Sequence, residues 1–385
     1  MGRYLVAAGL ARLADEMVGV AVVLLVLDRT GSAALSGAVV AAYTVPSVLS
    51  GPLLGAWLDR ARRPVAALAG NQFLLAAVAG GLVSVGDDAA ALLGLAFLAG
   101  ITLPMTSGGF TGLVPRLATD LQRATAHDAM VFNAAAIGGP ALAAVLVSAL
   151  GPASAVVALG ALALAGGLWT LGLRVPPARA EHPSLATALR RGLRHLATTA
   201  PLRGATVASV VAFGAIGVLA PVLPLHVPSL GVDDGRVGLV WAALEVGCVA
   251  GLLAVRRRLP RWRPERVVLV TVALFGAAVA AWPLAPSFPV LLALALVSGL
   301  VQGPTLTSVI TARQRYTPAD LLGQVSTTGA SLKLGGFAAG AALGGVLVTR
   351  VDPSVMILLV AVAQWVAAAL GAIAAKSSKP LRVSP

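Results

Sequence analysis

The chain has 385 residues, 58% of them hydrophobic and 11% charged, with a formal net charge of +13 and a mean hydropathy of +0.91. A soluble domain is about a quarter charged and under half apolar. The composition therefore excludes a soluble enzyme, a disordered chain and a disulfide scaffold, and leaves an all-α integral membrane protein. The single cysteine, Cys248, lies in an apolar run and can build neither an internal disulfide nor a metal site.

A helical span needs about 20 apolar residues. Apolar runs at 4–27, 33–57, 64–86, 89–113, 128–150, 153–174, 203–226, 236–255, 266–284, 288–311, 322–349 and 353–375 predict twelve transmembrane helices. The first run carries no cleavage pattern and is expected to stay in the membrane. Helix breakers mark the short turns at Gly31, Gly86, Gly151-Pro152, Pro286 and Pro353. Pro221, Pro224 and Pro228 predict an interrupted seventh helix that bends as a gate.

Lysine occurs only at Lys333, Lys376 and Lys379, so the basic charge is nearly all arginine. Of the 28 Lys and Arg residues, 23 fall on the side holding the N-terminus, three (Arg29, Arg236, Arg350) on the other, and Arg12 and Lys333 within spans. That bias puts both termini in the cytoplasm and requires an even number of spans. The opposite turns hold acids instead: Asp28, Asp87, Asp88, Asp233, Asp234 and Asp352. The basic residues sit in short loops without interleaved aromatics, which argues against nucleic-acid binding.

The longest connection follows six spans. It divides the chain into an N-terminal bundle (1–174), a cytoplasmic linker (175–202) and a C-terminal bundle (203–385). Within the linker, Leu185, Leu189, Leu193 and Leu196 recur at helical spacing between arginines, after a start signal at Pro183-Ser184. This predicts an amphipathic helix on the inner membrane surface. The halves repeat: Gly55–Arg60 recurs as Gly251–Arg256, Gly138-Gly139 as Gly335-Gly336, and Pro104 as Pro304. Two pseudo-symmetric six-helix bundles are one of the known transporter plans.

The turn after span 2 reads Gly55-Ala56-Trp57-Leu58-Asp59-Arg60-Ala61-Arg62-Arg63. It resembles the signature of the major facilitator superfamily (MFS): a glycine, three residues, Asp-Arg, one residue, a second glycine, then basic residues. Arg62 stands where that second glycine is expected. The resemblance covers the whole chain through span count, linker and repeat, and is greatest to bacterial drug and metabolite efflux permeases. It implies the MFS fold, alternating access, and a latch at Gly55, Asp59 and Arg60 that ties the halves together on the cytoplasmic side in the outward-facing state. Asp59 at the membrane boundary can face a helix N-terminus and its dipole. The second-half copy has Val255 in place of the acid. In span 5, Gly138, Gly139 and Pro140 resemble the family's antiporter motif, with Ala143 and Ala144 where paired glycines are expected. Such small residues equally serve generic helix packing.

Charge inside a membrane is costly and marks function by default. Arg12, Asp15 and Glu16 share span 1, with either acid spaced to pair with Arg12 on one helix face. An acid balanced between burial and a nearby cation can load and release a proton. The proton-coupling candidates are therefore Asp15, Glu16 and Glu245, with Arg12 and Lys333 as charge partners. Tyr43, Asn133 and Gln302 are the cavity candidates, on spans that line the cavity in the family; Asn71 and Gln72 rank below them. The expected function is secondary active transport: proton-coupled export of small amphipathic molecules, or import of a nutrient or metabolite by the same mechanism. No histidine cluster, nucleophile dyad or metal set stands at mid-span, so neither an enzyme nor a cofactor is expected. The expected partners are a small-molecule substrate, protons and the lipid bilayer, with the protein a monomer. The alanine- and arginine-rich composition fits a bacterial source, and hence a multi-pass protein of the bacterial cytoplasmic membrane.

Overall fold

The computed structural model describes residues 1–176, 184–232, 236–318 and 320–376. The predicted features at Arg179, His182, Pro183, Asp233, Asp234, Lys379 and Arg382 lie outside the described residues. Among the described residues the secondary structure is entirely helical. The helices are α1 (Gly2–Thr30), α2 (Ala33–Arg60), α3 (Pro64–Ser84), α4 (Ala89–Pro104), α5 (Phe110–Leu117), α6 (Leu121–Leu150) and α7 (Pro152–Leu171). They continue with α8 (Leu185–Thr198), α9 (Ala200–His226), α10 (Val237–Val255), α11 (Pro264–Val279), α12 (Phe288–Tyr316), α13 (Leu322–Leu347) and α14 (Pro353–Ala374). A π-helical turn, Met105–Gly109, joins α4 to α5 inside one span. Only helices satisfy every backbone group internally in lipid, which is why hydropathy alone locates them.

Among the described residues, eleven helices are long and apolar enough to cross a membrane. Outside that set are α8, only 14 residues long, and α1, which at 29 residues is long enough but carries Arg12, Asp15 and Glu16 near its middle. Gly31 (φ 62°) and Gly151 (φ 86°) take left-handed turns that end α1 and α6 where a side chain would be strained. The fifth span begins at Leu121, capped by the Asp120 carboxylate on Arg123 N, rather than at 128 as predicted. This extension places Asp128 about two turns inside the helix rather than at its first residue. Pro221 and Pro224 do not interrupt α9, which runs on through both; the break falls at Val227, where a 3₁₀ turn to Leu230 begins. The side chains and 3₁₀ adjustments around an intramembrane proline absorb its missing N–H.

The chain divides into two compact units. One comprises Met1–Gly192 with Pro318–Ala338, the other Leu193–Thr317 with Ala339–Pro385. Within the first, α1 packs on α6 and α7, α3 on α7, and α2 on α4. The second repeats the scheme: α9 on α14, α11 on α14, and α10 on α12. First with sixth, third with sixth and second with fourth is the same bundle built twice, as the internal repeat implies.

The N-terminal half of α13 belongs to the first unit because glycines receive it. Gly51 and Gly55 on α2, and Gly108 and Gly112 on the fourth span, form two Gly-x-x-x-Gly faces. A Cβ on Gly55 would lie 2.5 Å from Gln324 Cα, one on Gly108 2.6 Å from Thr327 Cα, and one on Gly112 2.9 Å from Gly323 Cα. Backbones approach this closely only where no side chain intervenes.

The linker helix α8 begins on Ser184, whose Oγ accepts from Thr187 N at 3.2 Å. Its buried face is Ala188, Gly192 and Leu196. Instead of offering that face to lipid, α8 is held by protein. Gln324 Nε2 donates to Leu189 O at 2.8 Å in the first unit, and His195 Nε2 lies 2.8 Å from Tyr316 O in the second. Leu193 remains exposed.

Candidate functional site

The charged residues of α1 separate into two sets. Arg12 pairs with neither Asp15 nor Glu16, as the helical spacing predicts, but with Asp128 on α6. Arg12 Nη1 donates to Asp128 Oδ1 at 2.8 Å and to its carbonyl at 3.1 Å, and Nη2 donates to Thr111 Oγ1 at 2.9 Å. Thr111 donates to Asp128 Oδ2 at 2.9 Å, and Tyr4 donates to Asp128 Oδ1 at 2.7 Å. Arg12 is 2% exposed and Asp128 0%. A partner across two helices satisfies both carboxylate oxygens in a dry site, which a neighbour on the same helix face cannot do. Spans 1, 4 and 5 are thereby tied by one neutral, hydrogen-bonded cluster. The Arg12 guanidinium also stacks over Phe132, 5.0 Å from the ring centroid. Tyr4, Thr111, Asp128 and Phe132 were not among the predicted residues.

Asp15 faces the other way. Its Oδ1 accepts a hydrogen bond from Tyr43 OH on α2. Asp15 and Glu16 are half-buried. The predicted span-5 glycines meet α1 at these acids: a Cβ on Gly139 would lie 2.6 Å from Glu16 Cβ, and one on Gly138 3.4 Å from Leu13 Cδ1. Pro140 follows within the same helix. Lys333 lies with its Nζ 5.8 Å from the centroid of the same Phe132 ring. Tyr43 also lines a small apolar cavity, shared with Val18, Val22, Val39, Val78 and Val156. Asn133 is buried with Nδ2 unpartnered among the described residues. In the second unit, Gln302 has a buried, unpartnered Oε1, and Glu245 is half-buried on α10. Asn71 and Gln72 both donate to Thr106 Oγ1 in the π turn, at 2.9 and 3.0 Å. They brace the span, and Asn71 also lines an open pocket with Trp57, Leu74 and Met105.

Asp59 stands at the end of α2. Its Oδ1 accepts from Gly323 N at 2.8 Å and its Oδ2 from Gln324 N at 2.7 Å. These are among the first amides of α13, which have no partner in the helix. The carboxylate thus caps the positive end of a helix from another part of the chain. Gly55 gives α13 the room for this approach. Arg60 Nε is buried without a partner among the described residues.

The model of the Major Facilitator Superfamily matches residues 4–329 and 205–385. The chain belongs to the Major Facilitator Superfamily. This membrane transporter, not an enzyme, is 30% identical over 367 residues to y4rN, an uncharacterized MFS-type transporter of Sinorhizobium fredii, covering 92% of this chain and 90% of the relative. It is 27% identical over 320 residues to the multidrug efflux pump Tap of Mycolicibacterium fortuitum, covering 78% and 77%. Among solved structures, a bacterial homologue of the iron transporter ferroportin in its outward-facing state matches with TM-score 0.77 at 17% identity, covering 97% of the transporter and 98% of that chain. The human organic anion transporter MFSD10 (TETRAN) matches with TM-score 0.77 at 17% identity, covering 96% and 98%. The Escherichia coli fucose:proton symporter matches with TM-score 0.69 at 15% identity, covering 97% and 98%. At such identities these likenesses establish the fold alone.

Proposed function

We propose that this transporter exports small amphipathic molecules in exchange for protons across a bacterial cytoplasmic membrane, as a monomer with both termini in the cytoplasm. The observation that carries the reading is the division of labour on α1. Arg12 is committed to Asp128, and the Asp15 carboxylate is turned to the Tyr43 hydroxyl beside an apolar cavity. An acid next to apolar volume suits a substrate with an apolar body and a polar or cationic group, for which a proton and substrate compete. The relative that is a multidrug efflux pump supports export, and the arginine bias supports the orientation. Asp15 is the first choice for the proton, with Glu16 and Glu245 as rivals, and Asn133 and Gln302 as substrate contacts. Asp59, with Gly55 and Arg60, holds the N-terminus of α13 while the cytoplasmic side of the two halves, 1–174 and 203–385, is shut.

The test is substrate flux in proteoliposomes under an imposed pH gradient, with a protonophore control. The substrate comes from a toxicity panel in cells stripped of their main efflux pumps. Asp15→Asn should abolish gradient-driven flux yet retain substrate exchange, which needs no net proton movement. If Asp15→Asn keeps full flux while Glu16→Gln or Glu245→Gln loses it, the proton site moves to that acid. If all three keep it, proton coupling through these residues is wrong.

A further inference from the structure

The turn between α10 and α11 holds Arg256, Arg257, Arg258, Arg261, Arg263 and Arg266 around Trp262, six arginines in eleven residues. All seven side chains are exposed. The turn is nevertheless folded: Arg258 N donates to Val255 O at 2.8 Å, Arg261 N to Arg258 O at 3.0 Å, Trp262 N to Leu259 O at 3.1 Å and Arg266 N to Arg263 O at 3.0 Å. A 3₁₀ turn, Leu259–Arg261, sits at its centre. The guanidiniums are thus presented from an ordered backbone.

Its one acid does not neutralise them. Glu265 is 8% exposed, and its carboxylate accepts from Tyr316 OH at 2.8 Å. Among the described residues none of the six arginines is in an ion pair. The counterpart turn in the first half has three arginines, at 60, 62 and 63, and an acid that caps α13. In the second-half turn that acid is Val255 and the arginine number has doubled.

Topology requires only a charge bias, which lysine and arginine supply equally. An all-arginine cluster adds planar forks that bind phosphate bidentately, which lysine cannot do. A tryptophan beside them has the amphipathic ring that settles at the headgroup level. Clusters of four to eight basic residues directly beyond a span bind anionic lipid headgroups. We propose that the α10–α11 turn is a binding site for an anionic phospholipid, with arginine forks on the headgroup phosphodiester and Trp262 at the boundary with the acyl chains. The proposal rests on α10 and α11 as membrane spans, and not on the direction or coupling of transport.

The experiment is native mass spectrometry of the full-length protein in mild detergent, offered phosphatidylcholine, phosphatidylglycerol or cardiolipin in turn. The wild type should retain the two anionic lipids at least about ten-fold more than phosphatidylcholine, from roughly five-fold per arginine engaged. Arg257→Gln/Arg261→Gln/Arg263→Gln should abolish the preference. The corresponding triple lysine variant, which keeps the charge and hence the topology, should lose a smaller part of it. Arg62→Gln/Arg63→Gln, in the other turn, should leave it intact. Thermal unfolding of each variant separates lost binding from lost fold. Equal retention of all three lipids by the wild type, or an undiminished preference in the folded triple glutamine variant, overturns the proposal. So does full displacement of phosphatidylglycerol by millimolar glycerophosphate, which would make the turn a site for soluble phosphate anions.

Discussion

Asp59→Asn isolates the charge at the end of α2 while keeping its size. The carboxylate accepts two backbone amides, at 2.8 and 2.7 Å. Asparagine keeps one acceptor oxygen and turns an NH₂ group toward the other amide, so one bond is lost outright. A hydrogen bond to a charged group contributes about 1.5–3 kcal/mol, and a negative charge at a helix N-terminus about 0.3–1 kcal/mol more. The expected loss is about 3 kcal/mol, which shifts the equilibrium between docked and undocked α13 on the order of a hundredfold. Ser331 reports that equilibrium, because it is wholly buried against the Gly51 face. In a Cys248→Ala background, which removes the one native thiol, Ser331→Cys should react with a membrane-permeant maleimide at a rate set by the undocked population. Adding Asp59→Asn should accelerate labelling on the order of a hundredfold, and Thr328→Cys, also buried, should report the same factor. Arg62→Gln should change neither rate. An unchanged labelling rate with Asp59→Asn in a folded protein would refute the assignment of a latch to these two bonds.

Gly55→Ala should produce the same acceleration without any change of charge, because its Cβ would lie 2.5 Å from Gln324 Cα; labelling of Ser331→Cys is again the measure. Asp128→Asn should destabilise the protein by about 3–5 kcal/mol, the cost of stranding one member of a buried pair, while Asp15→Asn should cost far less; thermal unfolding in detergent compares them. Cysteine at Asp88 should react with an impermeant reagent added outside intact cells, and cysteine at Arg191 or Arg261 only after permeabilisation; labelling of Arg191 or Arg261 from outside would overturn the orientation.

The spans were legible because a long apolar run in lipid satisfies its backbone within the segment only as a helix, and because turn residues such as Gly31 and Gly151 act locally. The Gly-x-x-x-Gly pairs at Gly51/Gly55 and Gly108/Gly112 are equally visible in the sequence, but in an alanine- and glycine-rich chain only Gly55 is marked out, by its place beside Asp59. The partner of Arg12 was not legible. Asp128 is 116 residues away, at the predicted first residue of its span, next to Arg123 and His127, which lower the local hydropathy. Local spacing offered Asp15 and Glu16 instead, and helical proximity says nothing about a third helix that can satisfy both carboxylate oxygens. The docking of α8 on Gln324 was hidden for the same reason: its stripe of leucines suits lipid or protein equally.

The Arg12–Asp128 pair also bears on how α1 can span although its charged residues set it apart from the other spans. Hydropathy charges the helix for three ionised groups, but a neutral, hydrogen-bonded pair between spans carries much less of the insertion cost of an isolated ion. α1 lies against α6 and α7, both of which cross the membrane, and buries Tyr4, Met17 and Leu25 along its length. It could not do so from outside the bilayer. Once Arg12 is assigned to Asp128, the charged residues left near the middle of the helix are the acids Asp15 and Glu16. Acids inside a span point to function by default, and the Asp15 carboxylate accepts a hydrogen bond from Tyr43, which lines the apolar cavity of the first unit. The cluster at Arg12 is therefore a fixed anchor of this helix, and under the proposed function Asp15 is the group on it whose charge would change during transport.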